Sequence, residues 1–158
     1  MYNIYRKKRE REGVKMNKFK IAAKMIDRRL PVIESTPESV YYDAERKVLV
    51  IGEYHDPNDY GFMRHLMNVH RCKVADKYGY NLWHLLHEFG HYAIEEKYGD
   101  NLQERVYFKE NFRYLNRNIP LQNEFYNMKV EWEATEWAIR WVEANPKKAA
   151  IINKILRD

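Results

Sequence analysis

Residues 87–91 read His-Glu-Phe-Gly-His, an H-E-x-x-H pattern within the stretch Asn81 to Lys97. In a helix, residues four apart project from one face, so His87 and His91 would present two imidazoles to a single point. Two imidazoles at that spacing can share one metal ion, and zinc takes nitrogen ligands readily. Glu88 would then stand beside a metal-bound water, where a general base is needed. The chemistry these residues suggest is metal-assisted hydrolysis.

The surrounding residues predict the helix. Leu82, Leu85, Leu86, Phe89 and Ala93 recur at spacings of three and four, with Asn81 as candidate N-cap and Gly99 as candidate stop. Gly90 is the weak helix former, at a cost of about 1 kcal/mol against Ala. A glycine there is expected to let another element pack close to the metal. His84, one turn before His87, is expected to line the site rather than ligate, because adjacent turns crowd a tetrahedral ion. His55, His65 and His70 are read as ordinary histidines.

A catalytic zinc needs a third protein ligand and an open position for water. Glu131, Glu133 and Glu136 are the candidates, on a predicted helix from Leu121 to Ala144. Its apolar stripe is Phe125, Met128, Trp132, Thr135, Ile139 and Val142, broadened by Trp137, Ala138 and Trp141. Glu133 and Glu136 share a face at three-residue spacing, and Glu131 points elsewhere.

Other elements follow in order. Residues 17–29 predict an amphipathic helix ending before Pro31, and Ile33 to Pro37 a loop. Val40–Tyr42 and Lys47–Ile51 flank Asp43–Arg46 as a β-hairpin. Residues 53–60 read as a loop and 61–77 as a loosely periodic helix. Residues 98–123 are polar, with a basic stretch at 105–117. Asn145-Pro146 ends the long helix and opens a last one, Lys147 to Leu156. The fold class expected is α+β: mainly helical, with a short hairpin packed on the H-E-x-x-H helix.

The chain has 158 residues and 45% hydrophobic content, enough for one domain with a core. Its single Cys72 excludes an internal disulfide and fits a reducing cytoplasm. Its apolar runs are too short to span a bilayer, and the charged N-terminus shows no signal peptide. Residues 1–15 hold six Lys/Arg against two Glu, the remainder 22 against 21. The net charge of +5 is therefore mostly a tail property, which argues against a nucleic-acid surface on the body. Residues 1–16 are read as a basic extension and 17–158 as the domain; Met16 is an alternative start.

HEFGH followed by Glu131-Trp132-Glu133-Ala134-Thr135-Glu136-Trp137-Ala138 resembles the ImmA/IrrE metallopeptidases. Their pattern is H-E-x-x-H, then a helix bearing E-x-E-A-[ND]-x-F-A. Thr135 stands where that pattern has Asn or Asp, and Trp137 where it has Phe. The second Glu of the motif matches Glu133. The resemblance implies a small zincin-like domain with one Zn2+ held by His87, His91 and Glu133, and Glu88 as catalytic base. It implies an endopeptidase of bacteria or their mobile elements and phages, acting on a protein substrate such as a transcriptional repressor. Glu136 is then a candidate partner of a ligand histidine, or a surface ion pair. Tyr126, His84 and His55 are candidate oxyanion donors, and the Lys47–Ile51 strand a candidate edge for an extended peptide. Two rival classes remain: a non-catalytic zinc-binding regulator or inhibitor, and a nucleic-acid binder using the tail and residues 105–117.

Overall fold

The computed structural model describes residues 17–34, 40–52, 57–98 and 128–157, the side chains of 57–62 and 96–98 excepted. The class is α+β: the described residues form five α-helices and a three-stranded sheet. None of these helices is long and apolar enough to cross a membrane.

Helix α1 (Lys18–Ile26) starts at Asn17, whose side chain accepts the Phe19 N–H at 3.0 Å. Its inward stripe is Phe19, Ala22, Ala23 and Ile26. Strands β1 (Val32–Glu34), β2 (Tyr41–Asp43) and β3 (Val48–Ile51) follow, in the spatial order β1-β3-β2. β3 pairs parallel with β1 and antiparallel with β2. Two expectations change here. Residues 32–34 form a strand instead of opening a loop, because Val32 and Ile33 are β-branched and lie against β3. The run Lys47–Ile51 offers no edge: both flanks of β3 are paired, which suits a strand buried at Leu49, Val50 and Ile51.

Helix α2 (Pro57–Val69) begins at Pro57, four residues earlier than its loose periodicity predicts. Proline fits the first turn of a helix, where its missing N–H has no intrahelical role. α2 stops at Val69 with the Cys72 N–H bonded to Met67 O and the Arg71 N–H to Asn68 O. Arg71 takes the left-handed φ of 52° that this closure requires. A 3-10 turn at Ala75–Lys77 leads into α3 (Tyr80–Tyr98).

Helix α3 is the axis of the molecule. Leu82, Trp83, Leu85, Leu86 and Phe89 are fully buried in the common core. Its start is tied down by neighbours. Asn153 Oδ1 accepts the Gly79 N–H at 2.7 Å, the Asn81 amide donates to Leu156 O at 3.2 Å, and Trp83 Nε1 donates to Ala75 O at 3.0 Å. Asn81 therefore works as a tether rather than an N-cap.

Helix α4 (Lys129–Ala144) crosses α3, and α5 (Pro146–Arg157) returns after a single residue, Asn145. The crossing is close because it is made of small residues. A Cβ built on Gly90 would lie 2.4 Å from Ala134 O and 2.8 Å from Ala134 Cα. The expectation that Gly90 admits a close neighbour holds, and the neighbour is α4.

Candidate metal centre

Helical spacing brings His87, Glu88 and His91 together, with their ligand-type atoms all within 4.8 Å of one another. The group could hold a metal ion. Two nitrogens define its centre: His87 Nε2 and His91 Nε2 face each other at 3.1 Å. A zinc ion about 2.0–2.1 Å from each nitrogen in tetrahedral geometry spans a similar separation, about 3.3 Å.

α4 delivers the third group. Glu131 Oε2 lies 2.8 Å from His87 Nε2, and Glu131 Oε1 lies 3.5 Å from His91 Nε2. Glu133 is not there. Two positions along a helix are about 200° apart around the axis, so Glu133 turns away as Glu131 turns in. Its side chain is 26% exposed and pairs with Lys129 Nζ at 3.6 Å. Glu136 also faces outward, 3.5 Å from Arg140 NH2, so the surface ion pair is the alternative found. Tyr126 and His55 lie outside the described residues.

The hydrogen atoms around His87 can be assigned. Thr135 Oγ1 donates to Glu131 O, one turn back, at 2.9 Å. A hydroxyl has one hydrogen, so Oγ1 must accept in its 3.1 Å contact with His87 Nδ1. The proton of the neutral ring then sits on Nδ1, and Nε2 presents a lone pair to the Glu131 carboxylate. Two acceptors 2.8 Å apart repel unless a cation lies between them. A proton would serve that one contact. A metal ion would serve all three groups, since the His91 nitrogen converges on the same point.

Burial sharpens the requirement. His87 is 1% exposed and Glu131 7%, and Thr135 is fully buried. Ionised groups in such places need partners. Burial pushes the Glu131 carboxyl up, but the His91 charge and the close side-chain contacts with His87 and His91 outweigh it and hold the pKa well below the carboxylate range. The His91 side chain, at 17% exposed, is the most open of the three and marks the side from which solvent reaches the cluster.

Comparison of the chain with known protein families, curated proteins and solved structures finds no match.

Glu88 lies beside the ligand cluster and is held from two directions. Oε2 accepts the Tyr42 backbone N–H from β2 at 2.8 Å. Oε1 lies 3.5 Å from His84 Nε2. Burial raises the Glu88 pKa, and the His84 contact with the charge of His91 brings it below the usual value, so the group stays anionic. His84 thus lines the site as expected, but its contact is with Glu88.

Three roles were not assigned from the sequence: Glu131, one of its candidate ligands, as the inward carboxylate; Thr135, already on its apolar stripe, as the partner of His87 Nδ1; and Tyr42 through its main chain. The first two carried a signal. Glu131, Ala134, Thr135, Ala138 and Val142 follow the helical repeat and are the buried residues of α4. They were overshadowed by Trp132, Trp137 and Trp141, which are only partly buried. A main-chain donor leaves no such trace in side-chain types.

Proposed function

We propose that the chain is a zinc-dependent endopeptidase of small zincin-like fold, of the ImmA/IrrE type that its two motifs resemble. The observation that carries this reading is the convergence of His87 Nε2, His91 Nε2 and the Glu131 carboxylate, with the His87 lone pair turned inward by Thr135. Two imidazoles and one carboxylate from two helices are the donor set of a catalytic zinc site. The third ligand in this proposal is Glu131.

His87, His91 and Glu131 would hold the zinc, which would supply a Lewis acid for the scissile carbonyl and acidify a water towards a pKa of about 7. The chain's own groups perform the rest. Thr135 holds His87 in the tautomer that ligates, as outer partners of ligand histidines do. Glu88, anionic and next to the cluster, accepts a proton from the attacking water and passes it to the leaving amine. A C–O bond forms, the C–N bond breaks, and the proton leaves on nitrogen. The substrate proposed is a protein segment, such as part of a transcriptional repressor, in a bacterium or its mobile elements.

The test is a pair of readings on Glu88→Gln and wild type loaded with one equivalent of zinc. Zinc retention with hydrolysis of unfolded protein substrates reduced at least about a hundredfold supports the proposal. Hydrolysis unchanged in Glu88→Gln overturns it.

A further inference from the structure

The way Glu88 is held goes beyond the ligand set. The pairing of Tyr42 with Leu49 sets the direction of the strand amides. The Leu49 N–H bonds Pro31 O on the β1 side at 2.8 Å, away from β2. The facing residue, Tyr42, correspondingly turns its N–H out of the sheet, as a non-hydrogen-bonded antiparallel pair requires. That outward amide meets Glu88 Oε2 at 2.8 Å. The Tyr42 ring packs edge-on against Tyr92 of α3, centroids 5.8 Å apart, which fixes the strand over the helix.

The second hold comes from α3. His84 is one turn before Glu88, and its Nε2 lies 3.5 Å from Glu88 Oε1. His84 is 7% exposed and Glu88 9%, so the pair is shielded in a way surface i,i+4 pairs are not. We propose that His84 and the Tyr42 main-chain amide form a two-point clamp on the Glu88 carboxylate, which makes His84 a positioning residue for the base. The inference rests on the hydrolytic reading above.

The clamp fixes the end of a side chain that would otherwise lose rotational freedom only in the reaction. Each carboxylate oxygen has two lone-pair directions. The Tyr42 amide takes one on Oε2 and His84 faces Oε1, which leaves a direction on each oxygen for the reacting proton. An oriented base is worth more than a mobile one because its geometry is paid for in folding.

The test uses the full-length chain loaded with cobalt(II) and titrated with acetohydroxamate, followed by visible absorption. Acetohydroxamate chelates through two oxygens and carries an acidic proton that a base at Glu88 would receive. The expected result is equal cobalt content in wild type, His84→Ala and His84→Gln. Acetohydroxamate affinity should fall about tenfold in His84→Ala and recover to within about threefold in His84→Gln, which restores an N–H donor. Wild-type affinity in His84→Ala, or no recovery in His84→Gln, overturns the clamp. Should His84→Ala fail to fold, His84→Phe fills the space without a donor and is compared with His84→Gln by the same criterion. A wild type that takes up no cobalt overturns the hydrolytic reading itself, a result distinct from cobalt uptake with no His84 effect.

Discussion

The first turns of α3 are half-buried and its middle is buried, and the two are satisfied by different means. At the start, Gly79, Asn81 and Trp83 each donate an N–H to a neutral oxygen, on Asn153, Leu156 and Ala75. Every such contact pairs one donor with one acceptor. In the middle, His87 Nε2 and Glu131 Oε2 meet as two acceptors, with His91 Nε2 beside them. The first region is closed by its own hydrogen atoms and serves as an anchor. The second could hold a cation. One helix thus carries a fastening and a site a few residues apart, told apart by their burial and by their inventory of donors and acceptors.

The sharpest way to break that contrast is at the α3–α4 crossing, on which the site depends and the fastening does not. Gly90→Leu drives a side chain into the Ala134 backbone, which cannot yield as a flexible side chain can. Overpacking of this kind costs about 1–3 kcal/mol or more. Because Ala134 is next to Thr135 and one turn from Glu131, the variant is expected to lose metal as well as stability. Thermal melts with metal content on the same sample check both.

A matched pair of substitutions should separate the two regions. Asn153→Ala leaves the Gly79 N–H without its acceptor in the fastening, a loss of about 1–3 kcal/mol with metal affinity unchanged. Thr135→Val removes the acceptor for the His87 Nδ1 proton, and metal affinity should fall about 10–100-fold. Chemical denaturation and competition with a chromophoric chelator measure the two effects. If both variants lose metal alike, the division fails.

The smallest expected effect is in acid. The folded pKa values of Glu131 and Glu88 are depressed, so the stability they contribute is fully present above the unfolded carboxylate value, about 4.3. It is lost as pH falls through the folded values. The fastening is built of neutral amides and should contribute no such slope. In chelator-treated protein, urea midpoints measured from pH 6 to 3 are expected to fall more steeply in wild type than in Glu131→Gln.

Much of this was legible in the sequence. The H-E-x-x-H helix, the hairpin, the terminal helices and the role of Gly90 follow from periodicity, capping and turn chemistry. Glu131 stood among the candidate ligands, but the motif resemblance singled out Glu133. Periodicity alone left three carboxylates open, because the tryptophans of α4 broaden its apolar face. At a crossing this close the inner face belongs to small residues, so Ala134, Thr135 and Ala138 mark it and carry Glu131 inward. Gly90 was the clue, because a glycine that demands close approach also demands small partners. Strand β1 was missed because three residues are too few to show an alternation, and its partner is distant in sequence.

The central claim is that Glu131 completes the site and Glu133 does not. It is tested most directly by zinc stoichiometry, measured by mass spectrometry on wild type, Glu131→Ala and Glu133→Ala after equal zinc loading and dialysis. The account predicts about one zinc per chain in wild type and Glu133→Ala, and loss of zinc in Glu131→Ala. Zinc retained in Glu131→Ala and lost in Glu133→Ala would contradict it.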